Sequence, residues 1–253
     1  MARSAPLSAY VLHRWDWSET SLILDLFTRE QGRVAVAAKG AKRPYSQLRS
    51  VLLPFQRVNV TFGRGPASDD APEVQTLRGA EWAGGAPMPG GAALFSGFYM
   101  NELLMKLLAR HDPHPALFDA YAATLPALQV SDDGVQAALR AFEIVLLREI
   151  GLLPDLRHVT STLEPVRSTA AYTLRPESGV APSASGEAPV TGELLCAVQA
   201  GLDSGRLETL REACAMALGP LRSQLRAVLH YHLGSPQPLR TRSVMMDMQR
   251  MLE

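Results

Sequence analysis

Residues 21–39 read SLILDLFTREQGRVAVAAK, and this stretch decides the first half of the fold. Ser21 to Phe27 is an apolar run with one acid, Asp25, inserted in it. A run of that length and content fits a strand buried along most of its course. Gln31–Gly32 signals a turn, and Arg33 to Lys39 resumes with Val34 and Val36 on one face. Working outward, Ala9 to Arg14 is a β-prone run that enters a turn at Trp15–Glu19. Downstream, Val58 to Phe62 (VNVTF) alternates and stops at Gly63–Arg64–Gly65–Pro66, and Glu73 to Trp82 supplies a fifth strand. Five short strands in the first 80 or so residues fit a small barrel, either an OB-fold or an SH3-like one.

The pattern changes after the uncharged Gly/Pro/Ala-rich stretch Ala83 to Ala93, which reads as a linker. Leu94–Arg110 carries apolar residues mostly three or four apart, the spacing of an amphipathic helix. Ala116–Leu128 is a second helix, ended or bent at Pro126. Ser131–Asp132–Asp133 caps a third over Val135–Ile150, with Leu139, Phe142, Ile144, Leu146 and Leu147 as core and Gly151 as the stop. Ala171–Arg175 followed by Pro176–Gly179 suggests a strand and a turn, while Val180–Pro189 is low in complexity and reads as mobile. Thr191 caps a helix that stops at Gly201, and Arg206–Leu218 and Leu221–Leu233 are separated by Gly219–Pro220. The expected class is α+β: a barrel domain over 1–83, a linker over 84–93, and a mostly helical domain over 94–253 with a small hairpin near 155–190.

Composition narrows the function. The 253 residues hold 25 Lys+Arg and 25 Asp+Glu, with 47 % apolar content, enough for one or two packed cores. The longest apolar runs fall short of the roughly 18–20 residues a membrane span needs. MARSAPLSAYVLHRWDW has no sustained apolar core of a secretory signal. Cys196 and Cys214 are the only cysteines, which excludes a four-cysteine zinc site and points to a reducing cytoplasm.

Zero net charge hides a segregation. Residues 1–84 carry 11 basic and 8 acidic side chains, residues 94–219 carry 9 and 15, and residues 220–253 carry 5 and 2. Arg33, Lys39, Lys42, Arg43, Arg49, Arg57 and Arg64 lie in a block without Asp or Glu. A second acid-free stretch, Ala213 to Met246, holds Arg222, Arg226, Arg240 and Arg242. Arg14, the seven cations of the first block, and Arg240 and Arg242 are the candidates for contact with a phosphate backbone, a contact that screening keeps local, within about 8–10 Å. Tyr45, Trp15 and Trp17 are placed to stack on unpaired bases, with packing on the barrel edge as the alternative for the two tryptophans.

Chemistry of other kinds finds no support. The sequence has no phosphate-loop, dinucleotide, nucleophile-elbow or zinc-protease motif. His111 and His114 in HDPHP read as a polar turn, His230 and His232 point to different faces of a helix, and the cysteines sit in apolar helical contexts. Nothing assembles an active site, so no cofactor is expected and an enzyme is not.

The ordered set of residues resembles the bacterial DNA repair family RecO. It runs through His13–Arg14, Trp17–Ser21, Leu24–Thr28, Gly32–Val34, Ala38–Ala41, Leu52–Phe55 and Thr76–Arg78. It continues through Phe95–Tyr99, Asn101–Leu104, Leu139–Glu143, and Leu233–Gly234 with Pro238–Arg242. The resemblance implies an OB-fold followed by a helical domain. It implies a cytoplasmic, nucleoid-associated recombination mediator that binds single- and double-stranded DNA and anneals complementary strands. It also implies the partners RecR (and RecF), loading of RecA, and binding of the acidic C-terminal tail of the single-stranded DNA-binding protein. Arg140 matches the family position that meets that tail, and a salt bridge to Glu143 or Glu102 is its alternative role. Many members carry four cysteines in two C-x-x-C pairs, but Pro154 to Ser185 here has none, so the zinc site is lost. Asp16 between Trp15 and Trp17 is a smaller departure, which weakens that turn as a phosphate contact. A non-enzymatic adaptor that docks an acidic protein and never touches DNA is the competing class.

Overall fold

Alternating apolar residues on two consecutive strands close into a barrel when a third element returns to the first strand. In the computed structural model, which describes residues 5–63, 74–129, 132–184, 187–234, 239–241 and 243–244, this is how the chain begins. Strands β1 (Leu7–Asp16), β2 (Leu22–Thr28), β3 (Gly32–Ala38), β4 (Arg57–Phe62) and β5 (Val74–Trp82) form a closed barrel. Their order is β1-β2-β3-β5-β4, with β4 pairing back on β1 and β3 parallel to β5. This OB-like order settles the choice between the two small barrels. A four-residue helix, α1 (Leu48–Val51), lies in the β3–β4 connection.

Period-2 alternation fills the interior. Leu22, Leu24 and Leu26 face Val34, Val36 and Ala38, with Ala9, Val11, Val58 and Val60 completing the core. The opposite parity is buried too, because two helices cover it: α2 (Ala92–Leu107) and α3 (Pro115–Ala127). Tyr10 and Phe27 stack on Phe118 and Tyr121, with ring centroids 4.9–6.4 Å apart. That double burial is why Ser21–Phe27 reads as a continuous apolar run. A bulge between Val11 and His13 frees the Leu12 carbonyl from the ladder, and Asn101 Nδ2 of α2 donates to it at 2.9 Å. Asn101 Oδ1 in turn accepts from Tyr121 Oη at 2.6 Å, so one buried amide ties β1, α2 and α3 together. At the β2–β3 turn a Cβ on Gly32 would lie 1.9 Å from the Asp112 carbonyl oxygen, and φ is +66°, so the α2–α3 connection can approach only a glycine there.

The chain divides into two compact units, Met1–Leu125 and Pro126–Glu253, and the first therefore holds α2 and all but the last two residues of α3 with the barrel. The second is built on α4 (Asp132–Glu149), whose expected core residues Leu139, Phe142, Ile144, Leu146 and Leu147 are all buried. A three-stranded sheet follows, β6 (Ala171–Arg175), β7 (Gly179–Pro182) and β8 (Val190–Thr191), in the order β7-β6-β8. Three helices complete it: α5 (Gly192–Asp203), α6 (Leu207–Ala215) and α7 (Leu218–Leu233). Thr191 caps α5 by accepting from the Leu194 amide at 3.2 Å.

Three local expectations are corrected. Gly201 does not stop α5: a Cβ there would lie 2.8 Å from Leu210 Cα, so the glycine lets α6 approach. Gly219–Pro220 does not separate helices but opens α7, since proline is tolerated in a first turn. Val180–Pro182 is strand rather than mobile loop, because Val180 is fully buried and its amide donates to Thr160 Oγ1.

Candidate nucleic-acid interface

Strand register decides which cations share a barrel end. Asp16 of β1 pairs with Leu22, and Leu22 pairs with Ala38, so the β1–β2 turn and the loop after β3 emerge together. Arg14, Lys39, Lys42 and Arg43 belong to this end. Arg33 and Arg57 share a ladder row with Phe27 and Tyr10 instead. Arg33 lies six residues before Lys39, about 20 Å along a strand.

Lys42 holds the end together. Its amide donates to the Thr20 carbonyl at 3.0 Å, its Nζ donates to the Ser18 carbonyl at 3.0 Å, and Nζ pairs with Asp16 Oδ1 at 3.2 Å. Three bonds from one residue staple the loop to the turn. Successive turns, with the Arg43 amide on Gly40 O and the Ser46 amide on Arg43 O, then fold the loop back on itself. Ala41 is fully buried under it, whereas Lys39, Arg43, Tyr45 and Arg49 are exposed, Tyr45 to 99 %. Trp17 at the tip of the turn is 59 % exposed and Trp15 is 44 % exposed, with its ring 4.5 Å from His13. Trp17 thus leaves most of its ring open to solvent, while Trp15 rests partly against His13 and is partly open. The arrangement is a paired-loop surface with cations and aromatic faces directed to solvent, chemistry suited to phosphates and unpaired bases.

Two of the expected cations have other tasks. Arg33 does not reach solvent for a ligand. Its Nε donates to both oxygens of Asp25, at 2.9 and 3.1 Å, and its Nη1 donates to the carbonyls of Met105 and Leu108. Asp25 is 1 % exposed, so this is a buried pair that also caps the C-terminal end of α2. Lys42 is the staple. The acid-free block in the sequence is thus not acid-free in space: β1 supplies Asp16 and β2 supplies Asp25. Arg57 is half-buried, with Nε on Ser8 Oγ at 2.9 Å. Arg240 is exposed, and Arg64 and Arg242 lie outside the described residues.

In the second unit Arg140 of α4 is 5 % exposed and its Nη2 pairs with Glu143 Oε1 at 2.6 Å. The salt bridge named as its alternative role is therefore present, and no surface guanidinium is offered at that position. Burial, then the Glu143 charge, push the nearby Cys214 thiol up to about 12, against the influence of Arg140. Among the described residues no three His, Cys, Asp or Glu side chains group to hold a metal, and no helix is long and apolar enough to cross a membrane. His111 takes a positive φ of 59° in the polar turn expected of it.

The family model described as Recombination protein O N terminal matches residues 1–83, and Recombination protein O C terminal matches residues 90–242. The chain is 53 % identical over 251 residues to a "DNA repair protein RecO" of Variovorax paradoxus (strain S110), covering 95 % of each. It is 49 % identical over 261 residues to a protein of the same name from Acidovorax ebreus (strain TPSY), covering 98 % of each. A third such protein, from Polaromonas sp. (strain JS666 / ATCC BAA-500), is 52 % identical over 245 residues, covering 95 % of each.

Proposed function

Since the chain belongs to the RecO family of DNA repair proteins, we propose that it is a non-enzymatic recombination mediator whose barrel end grips DNA backbones. The paired-loop surface carries this reading. Lys42 spends its own charge fixing the loop, and Lys39, Arg43 and Arg49 are left exposed beside Tyr45 and Trp17. Arg14 extends the surface along β1, with Arg64, Arg240 and Arg242 as further contacts by position in the sequence.

No bond is made or broken in this account. Cations on the loop neutralise phosphates, lower the repulsion between complementary strands and raise their encounter frequency; base pairing supplies the free energy. Exposed aromatic faces hold unpaired bases without regard to sequence. In the cytoplasm such a protein would bind single- and double-stranded DNA and act on single strands coated by the single-stranded DNA-binding protein. With RecR (and RecF) it would help load RecA. Docking of the acidic tail belongs to the helical unit. For Arg140 itself to meet the tail, as its position implies, it would have to exchange Glu143 for the tail carboxylate.

An annealing assay with complementary oligonucleotides, with and without the coating protein, tests the reading. Faster pairing in both conditions is expected. No binding of a labelled oligonucleotide at low salt, together with binding of an acidic protein, would favour the adaptor instead.

A further inference from the structure

Two glycines shape a cavity in the second unit. Gly151, at φ +74°, turns the chain after α4, and the Leu152 and Leu153 amides both donate back to the Leu147 carbonyl. Gly179, at φ +69°, brings the β6–β7 turn against Thr160, whose Oγ1 would lie 2.3 Å from a Cβ there. The space between these two turns and α7 measures about 250 Å³. That is several times the roughly 30 Å³ share of one water and less than a drug-sized ligand needs. Leu153, Leu174 and Val228 form apolar walls, and Glu177 and His232 also line the space.

Two polar groups of this cavity lack a counterpart. Glu177 Oε1 accepts from Tyr231 Oη at 2.9 Å, a neutral donor, and among the described residues no cation pairs with Glu177. Arg175, on the same turn, is engaged by Glu187 at 3.3 Å. His232 sets its ring edge-on against Tyr231, centroids 5.2 Å apart, and its Nε2 is shielded from solvent with no hydrogen-bond partner among the described residues. A buried N–H left alone is rarer than a buried acceptor left alone, so the tautomer with its proton on Nδ1 is favoured and Nε2 carries the lone pair. We propose that the cavity binds a primary alkylammonium group on an unbranched stem, the chemistry shared by a free polyamine and the lysine side chain of a partner protein. The methylene stem lies along Leu153, Leu174 and Val228, as long cationic side chains cover apolar surface. An ammonium has three donors and no acceptor. It bonds the Glu177 carboxylate and, once the imidazole turns about its soft χ2 torsion, His232 Nε2 as well. An anion is disfavoured, because Glu177 repels it and Arg175 is already engaged. Residues 94–219 carry 9 basic and 15 acidic side chains, a field that draws cations to this part of the chain. The site does not depend on the reading of the barrel as a DNA contact.

Isothermal titration of the full chain with n-butylamine, spermidine and Nα-acetyl-lysine methylamide tests the site, with n-butanol as the neutral control of the same stem. The amines bind and butanol does not. Spermidine binding more tightly than the lysine derivative assigns the site to a free polyamine, and the reverse order assigns it to a partner's side chain. Glu177→Gln removes the charge while leaving an acceptor for Tyr231, and it weakens amine binding about three- to tenfold. His232→Phe keeps the ring contact but removes the lone pair, and it weakens binding about tenfold. Its thermal midpoint does not fall, since the imidazole nitrogen loses no partner. Oligonucleotide binding is unchanged in both variants. The absence of heat with every amine at millimolar concentration would overturn the site. So would butanol binding as tightly as butylamine, or an amine affinity that neither substitution alters, the signature of cations gathering on an acidic surface.

Discussion

Replacing Arg33 by alanine removes a buried cation with four acceptors. Asp25 keeps its position at 1 % exposure, with the half-buried Arg110 at 3.9 Å as its remaining cation. The carbonyls of Met105 and Leu108 lose their donor as well. Breaking one partner of a buried pair costs about 3–5 kcal/mol, because the other charge stays behind desolvated. With a urea dependence of about 2 kcal/mol per molar, the unfolding midpoint falls by about 1.5–2.5 M. Arg33→Met combined with Asp25→Leu recovers part of the loss, since no charge is stranded, though the two carbonyls still lack a donor. Equilibrium urea unfolding followed by circular dichroism measures the shift, and oligonucleotide anisotropy on the folded fraction measures DNA affinity. An unfolding curve that does not move, accompanied by lost DNA affinity, would refute the internal role and return Arg33 to the surface set.

Gly201→Ala forces a Cβ to within 2.8 Å of Leu210 Cα, and the overpacked α5–α6 contact should cost about 1–3 kcal/mol in the same unfolding measurement. The Glu187 carboxyl is held at about 2, below its ordinary 4.5, chiefly by the hydrogen bond from Thr173 Oγ1 and then by the Ala184 amide. A depressed folded value means that its stabilisation is complete above about 4.5 and is lost as pH falls toward about 2. Glu187→Gln should therefore flatten the wild-type decline of stability across that window in pH-resolved melts. Cys214, pushed up to about 12, should resist a thiol reagent at pH 8 in the native protein, while the half-buried Cys196 reacts first; mass mapping of the labelled peptide reports the order.

The barrel was legible because its strands carry the signal locally. Leu22, Leu24 and Leu26, then Val34 and Val36, alternate with turn residues between them, and pairing register follows from that parity. The topology that distinguishes an OB-like barrel was not legible. The parallel β3–β5 pairing joins residues about forty positions apart, with no local trace in the sequence. Helix boundaries failed where glycine served packing instead of termination, as at Gly201 against Leu210.

The site was half legible for a similar reason. Exposure of the loop followed from its polarity and its position after a strand. The fate of each cation did not, because the partners come from other strands. Lys42 meets Asp16, which is 26 positions earlier, and Arg33 meets Asp25 across the β2–β3 hairpin. Counting charge along a segment misses carboxylates that the sheet brings alongside it. Arg140 and Glu143, three apart on one helix, were close enough in sequence for their pairing to be named in advance.

The most direct measurement is the salt dependence of oligonucleotide binding by the wild type and by Lys39→Ala with Arg43→Ala. Both side chains are exposed and neither belongs to the Lys42 staple. The account predicts a slope lower by about 1.4–1.8 in the variant, weaker binding at every salt concentration and an unaltered unfolding midpoint. Superimposable binding curves for the two proteins would contradict it.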